Sequence, residues 1–304
     1  MGYHNSVLLA ESIHGLNIKP SGVYVDVTFG GGGHSKAVYS KLSGGRLFAF
    51  DQDYSANVNI FNKPGFKLIN ANFRHLKNFL KMEGVVKIDG LLADLGVSSH
   101  QFDVANRGFS TRFDSELDMR MNMNSSFSAK DVVNEYSEEN LADIFYNYAE
   151  LKNSRRIAKK IVDGRVFSSI NTTTDLVSLI SDCTSPKHIN KFLARVFQAI
   201  RIEVNDEITA LQEMLLSAVE LLNVDGRLVV LSYHSLEDRL VKNLMKRGNF
   251  DGKVKKDFYG NPIRQLKQLT SKAITASTQE IRKNPRARSA KLRVAVKNNG
   301  NYDG

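Results

Sequence analysis

Residues 23–35 read Val-Tyr-Val-Asp-Val-Thr-Phe-Gly-Gly-Gly-Gly-His-Ser, and no other stretch restricts the fold as tightly. The residues up to Asp26 have strand character. Gly30 to Gly33 then make a turn without Cβ atoms, and an apolar-periodic run from Ala37 to Leu42 begins a helix. A glycine turn between strand and helix lets a ligand lie directly on backbone amides. The same turn can serve only to redirect the chain. The next strand, Arg46 to Phe50, favours the ligand. It ends in Asp51-Gln52-Asp53, and an acid at that tip is placed to accept hydrogen bonds from ribose hydroxyls. A nucleoside-containing cofactor is therefore expected.

Two further strands follow, Phe66 to Phe73 and Lys87 to Gly96, with a helix between them around His75 to Met82. Strands alternating with helices at this spacing predict an α/β fold with a doubly wound parallel sheet. From about Phe102 to Arg201 the rhythm breaks and only loop and helix are expected, including a capping-box pattern at Ser128 and Asp131. A helix through Ile208 to Leu222 resumes the pattern, ended by Asp225-Gly226, before a fifth strand over Arg227 to Tyr233. A last strand is expected over Ala290 to Val296. The predicted division is a sheet domain over 1–101, a helical insertion over 102–202 and the rest of the sheet domain over 203–304.

The net charge of +10 is unevenly spread. Between Lys253 and Lys297 thirteen Lys and Arg stand against two acids, Asp257 and Glu280, so the remaining chain is close to neutral. Such a block favours a polyanionic partner, with a solvated tail as the plainer alternative. A single cysteine, Cys183, excludes an internal disulfide and a cysteine-based zinc site. The seven histidines form no pair at metal-ligand spacing. No apolar run approaches membrane-spanning length and no signal-peptide pattern opens the chain, so a cytoplasmic, metal-independent protein is expected.

Longer motifs carry the reading further. They are Val7-Leu8-Leu9, Asp26 through Ser35, Asp94-Leu95-Gly96-Val97-Ser98-Ser99-His100-Gln101, Arg107-Gly108-Phe109-Ser110 and Leu117-Asp118-Met119-Arg120-Met121. Further on come Phe197 to Ile202, Val204-Asn205-Asp206-Glu207, His234 to Arg239 and Asn284 to Ala290. In these the chain resembles, over nearly its whole length, the bacterial small-subunit (16S) rRNA cytidine-N4-methyltransferases, the RsmH (MraW) family. The resemblance implies a class I, Rossmann-like methyltransferase sheet with an inserted all-helical domain. It also implies S-adenosyl-L-methionine as donor, and a cytidine in the decoding (P-site) region of 16S rRNA as acceptor, within the small ribosomal subunit. Two stretches depart from the family pattern. Lys191-Phe192-Leu193-Ala194-Arg195 stands for His-Pro-Ala-Thr-Arg, and Tyr148-Ala149-Glu150 for Tyr-Gly-Glu.

By matching positions, the resemblance implies that Gly32, Gly33 and His34 line the donor's amino-acid moiety. Asp51 takes its ribose hydroxyls, Phe73 flanks the adenine, and Asp94 and Gln101 complete the pocket. The N4 lone pair of cytosine is delocalised, so acceptors that draw on the amino hydrogens would localise it. Asp94, Ser98 and Ser99 are the expected catalytic residues, against a purely donor-positioning role. Arg286, Arg288, Lys291 and Arg293 are expected to meet phosphates, with a second surface at Arg155, Arg156, Lys159 and Lys160. Two other classes remain open: a nicotinamide-dependent oxidoreductase, whose spaced G-x-G-x-x-G the glycine run does not follow, and a non-catalytic RNA-binding protein. Of Ser98→Ala and Ser99→Ala, one is expected to cut single-turnover methylation by on the order of ten- to a thousand-fold, with donor and RNA affinities unchanged. Normal rates for both would make the loop scaffolding.

Overall fold

The computed structural model describes residues 6–97, 104 and 107–299. It divides into two compact units, one formed by the chain up to Gly96 and from Ile208 onward, the other by Val97–Glu207. The first opens with α1 (Leu9–Leu16) and β1 (Val23–Asp26), followed by α2 (Gly33–Tyr39) and β2 (Arg46–Phe50). Then come β3 (Phe66–Ile69), α3 (Leu76–Met82) and β4 (Ile88–Asp94). β1 pairs in parallel with both β2 and β4, bringing Asp26 level with Ala49 and Leu92. Side chains alternate between two cores. Val25, Phe50 and Leu91 join Leu76 and Leu80 of α3 in one, while Tyr24, Leu47 and Leu92 join Leu16 of α1 in the other. A parallel sheet covered on both faces needs such continuous apolar strands.

The second unit carries α4 (Ala129–Glu135), α5 (Glu138–Ala149), α6 (Ser154–Arg165), α7 (Thr173–Ile180) and α8 (Ile189–Val204). The capping box at Ser128 and Asp131 starts α4 as expected. Leu141, Ile144 and Phe145 on α5 enter one core with Ile157 and Ile161 of α6 and Val196 and Ile200 of α8. Several of the long motifs hold this unit together. Asp118 accepts both arms of Arg120, at 2.8 and 2.7 Å, and Arg107 donates to the Arg120 carbonyl at 2.8 Å. Asn205 ties in the same loop from α8's end, accepting from the Met121 amide and donating to the Met119 carbonyl. The two departures from the family pattern also meet, since the Arg195 guanidinium donates to the Ala149 carbonyl.

The chain then forms α9 (Glu207–Leu221), β5 (Leu222–Ser232), α10 (Ser235–Arg247), β6 (Leu266–Gln268), β7 (Ile274–Thr275), α11 (Thr278–Lys283) and β8 (Lys291–Lys297). The completed sheet has eight strands in the order β3-β2-β1-β4-β5-β8-β6, with β7 on β8. β8 lies antiparallel to both β5 and β6, and every other neighbouring pair on that path is parallel. This is the α/β class I arrangement.

The third strand, expected over Phe66 to Phe73, ends at Ile69, and Phe73 opens the 3-10 turn Phe73–His75 instead. A second boundary also differs from expectation. The helix stops at Leu221, four residues before Asp225, because Leu222 already pairs with Ile88 of β4. Arg227 pairs with Gly90, so the residues between Leu222 and Arg227 loop out against a single β4 residue, with Asp225 at φ 64°. Asp225-Gly226 is a turn inside the strand, not the helix stop.

The basic block is also not uniformly surface. Arg293 on β8 is buried, and its Nε donates to Asp238 of α10 at 2.7 Å, while Lys291 reaches the other oxygen at 3.2 Å. Arg293 is thereby removed from the expected phosphate-binding set. Burial acts to raise the Asp238 carboxyl, but the hydrogen bonds and charges of Arg293 and Lys291 outweigh it and hold it below its ordinary range. Asp238→Ala strands a buried guanidinium and is expected to lower stability by about 3–5 kcal/mol at neutral pH. Because the folded carboxyl is depressed, its contribution is full above roughly pH 4 and is lost as pH falls through the folded value. Urea unfolding of both proteins should show the gap at pH 7 narrowing in acid.

Candidate functional site

The glycine turn sits where β1 ends, and groups from three strand tips fix its shape. Buried Asp26 accepts from the Thr28 amide at 3.1 Å and from the Ser35 hydroxyl at 2.6 Å, binding the start of α2 back to β1. Thr28 Oγ1 accepts the Asp94 amide at 2.7 Å, which joins the tips of β1 and β4. Asp51 at the tip of β2 accepts the Gly30 amide through Oδ2 at 2.8 Å and the Asp53 amide through Oδ1 at 2.9 Å. Asn59 donates to the Gly30 carbonyl at 3.0 Å from the 3-10 turn Tyr54–Asn59.

The glycines have separate reasons for being there. Gly32 has φ 74°, a conformation that side-chain-bearing residues rarely adopt. A Cβ on Gly33 would stand 2.1 Å from Ser6 Oγ, so any larger residue there forces the serine side chain to move. A Cβ on Gly31 would meet nothing within 4 Å. The turn therefore presents open backbone at Gly31, beside a carboxylate whose two oxygens each keep a lone pair beyond the amides they hold. That arrangement fits a nucleoside-bearing group with a ribose diol.

Burial lifts the Asp51 carboxyl to about 6. The Asp53 and Gly30 amides pull against the shift, and the nearby charges of Asp53 and Asp26 add to it. The Asp94 carboxyl is raised as well, first by burial, with Asp26 and Glu237 pushing in the same direction. His34 and the Tyr233 hydroxyl oppose it. Tyr233 donates to Asp94 Oδ1 at 2.7 Å, and His34 Nδ1 lies 3.6 Å from Oδ2. His34 is turned by its other nitrogen, which lies 3.2 Å from the Val7 carbonyl. Asp94 keeps 23% of its side-chain surface exposed, so it can still accept from a group brought to it.

Gly32, Gly33, His34, Asp51 and Asp94 thus lie on adjoining strand tips and the turn between them. Phe73 opens the 3-10 turn Phe73–His75 after β3 and packs partly against the sheet core. Ser98, Ser99 and Gln101 lie outside the described residues. Residues missed from sequence are Thr28, Tyr233 and Glu280. Glu280 accepts the Leu8 amide at 2.7 Å, fixing Leu8 at φ 48° and so aiming the Val7 carbonyl at His34. The Val7-Leu8-Leu9 motif carried that signal, but its partner lies 272 positions away. On α6, Arg156 and Lys160 pair with Asp182, and Lys159 with Asp163, which neutralises much of the second expected phosphate surface.

A ribose diol donates to a carboxylate, so Asp51 must be ionised to hold it. Affinity for S-adenosylmethionine is expected to rise between pH 5 and pH 7.5 as this carboxyl loses its proton near 6. Asp51→Ala should weaken binding by roughly 1.5–3 kcal/mol, and Asp51→Asn should flatten the pH dependence. Calorimetry across that range measures both, and unchanged affinity in the variants would remove Asp51 from the site.

A family model described as the MraW methylase family matches residues 1–298. The ribosomal RNA small subunit methyltransferase H of Bacteroides fragilis (strain YCH46) is 54% identical over 296 residues, covering 97% of both chains. The protein of that name from Flavobacterium johnsoniae is 52% identical over 298 residues, covering 98% of both. Among solved structures, an rRNA methylase from Streptococcus thermophilus covers 98% of this chain and 99% of its own, at 10% identity and a TM-score of 0.43.

Proposed function

The chain belongs to the MraW methylase family, and from that premise we propose that it methylates the N4 amino group of a cytidine in the decoding region of 16S rRNA. It is an S-adenosylmethionine-dependent methyltransferase. The observation that carries the reading is the open glycine turn, with Asp51 and Asp94 on the strand tips either side of β1. When bound, the donor supplies an electrophilic sulfonium methyl.

The protein's own work is positional. Asp51 holds the diol, and Gly31 leaves the backbone accessible to the donor. Asp94, held by Tyr233 and facing His34, accepts a hydrogen bond from the cytidine amine, so that the nitrogen lone pair is less delocalised as the carbon–nitrogen bond forms. The amine becomes cationic on methylation and must then lose a proton. A carboxylate whose burial raises its proton affinity is a suitable first acceptor. Ser98 and Ser99 come four and five residues later in the chain and remain candidates for a second hydrogen bond to the amine. Gln101 belongs with the donor pocket.

The helical unit, Val97–Glu207, is the proposed substrate-recognition element, working on the small subunit in the cytoplasm. Exposed Arg286 and Arg288, with Lys291 half-exposed beside Asp238, remain the phosphate-directed part of the predicted cluster.

The test is transfer of a tritiated methyl group to small-subunit particles, followed by mass mapping of the modified nucleoside. N4-methylated cytidine in the decoding region is expected. Label at a ring carbon or a ribose oxygen would overturn the assignment of the acceptor. The oxidoreductase alternative predicts nicotinamide-dinucleotide binding in calorimetry, and none is expected.

A further inference from the structure

The segment after α10 folds back on itself as a short hairpin. Lys256 bridges Pro262, the Ile263 amide donates to the Lys255 carbonyl at 2.8 Å, and the Asp257 amide donates to the Asn261 carbonyl at 2.9 Å. Asp257 organises the tip, its Oδ1 accepting the amides of Tyr259 at 2.9 Å and Asn261 at 2.8 Å. Gly260 completes the turn at φ 88°. The one acid of the hairpin is thus occupied with its own backbone.

Two large aromatic rings stand at the tip with almost nothing around them. Phe258 is 97% exposed and Tyr259 85%, their centroids 5.5 Å apart and their planes at 87°. Aromatic side chains are usually among the most buried in a fold, and here a capped turn holds two of them in solvent. Lys253, Lys255 and Lys256 flank them, exposed and with no ion pair among the described residues. None of these residues belongs to the donor site.

We propose that this hairpin is a stacking element for single-stranded RNA, Phe258 and Tyr259 taking the faces of unpaired bases while Lys253, Lys255 and Lys256 hold the adjoining phosphates. Bases in a duplex are already stacked, whereas unpaired bases offer a π-face to any aromatic that can reach them. Flanking cations supply the complementary, salt-dependent attraction to phosphate. The capped turn holds the tip in shape, so little conformational freedom is lost on binding. The inference rests on the RNA-directed reading above and adds the surface and the form of RNA it takes.

The chain contains no tryptophan, so Phe258→Trp introduces a single indole at the tip, excited selectively over the tyrosines. A twelve-nucleotide unstructured oligoribonucleotide is expected to quench its emission, and a blunt duplex of the same sequence to leave it nearly unchanged. Phe258→Ala with Tyr259→Ala should weaken binding of the single strand by on the order of tenfold or more, without changing the slope of affinity against salt. Lys255→Ala with Lys256→Ala should instead lower the magnitude of that slope by about 1.4. Melting temperature and donor affinity should stay at wild-type values throughout.

Emission unmoved by the single strand, or alanine variants that bind it normally, overturns the proposal. A blue shift on phosphatidylserine vesicles without an RNA response does so in favour of a membrane surface. If the wild type methylates small-subunit particles while the hairpin fails these tests, only the hairpin falls. If the hairpin binds single strands but no methyl reaches the particles, the function above falls instead.

Discussion

The buried carboxylate of Asp26 is the group on which the rest of the proposed donor site depends. It holds the Thr28 amide and the Ser35 hydroxyl, and so fixes both ends of the glycine turn. Through Thr28 Oγ1 the same turn is bound to the amide of Asp94, and through the Gly30 amide to Asp51. Three strand tips are thereby held in one geometry before any ligand arrives. A buried charge is costly unless its lone pairs are satisfied, and here the partners that satisfy it are the parts of the site that must not move. Preorganisation and charge burial are met by one set of hydrogen bonds.

The two carboxylates of the proposed site, Asp51 and Asp94, are held differently. Asp51 is braced by amides alone, which suits a carboxylate that accepts from neutral hydroxyls. Asp94 is braced by the Tyr233 phenol and faced by the His34 imidazole, and burial raises its own carboxyl. In the proposed reaction the ribose of the donor is unchanged and suits a fixed acceptor, whereas the amine acquires charge and needs an outlet.

Much of this was legible in the sequence, for identifiable reasons. The first four strands are short, apolar and separated by glycine or polar turns, so their period and punctuation gave their places. The capping box at Ser128 depends on a spacing of three residues and was equally readable. What escaped was non-local. β6 and β7 are three and two residues long, lie in lysine-rich sequence and exist only because β8 offers them an edge. Arg293 reads as one more cation in a basic block until Asp238, 55 positions earlier, is found against it. Asp225-Gly226 carries a proper turn signal, but pairing of Leu222 with β4 overrode its reading as a helix stop. Tyr233 showed only as a strand residue, because nothing local links its hydroxyl to Asp94 across 139 positions.

The register of β4 with β5 brings Asp94 beside Leu231, with all of Val97–Glu207 between them in the chain. During synthesis β4 is therefore complete long before its partner exists. At ordinary translation rates the intervening residues take on the order of ten seconds to appear. Through that interval β4, with Leu91, Leu92 and Ala93 fully buried in the finished fold, is a bare sheet edge open to pairing with any other nascent chain. The helical unit has its own core and so can fold during the wait, which draws the two ends of the gap together and lessens the entropy of closing it. Interruption of the sheet at this point makes the speed with which an insertion folds a determinant of how much of the protein escapes aggregation.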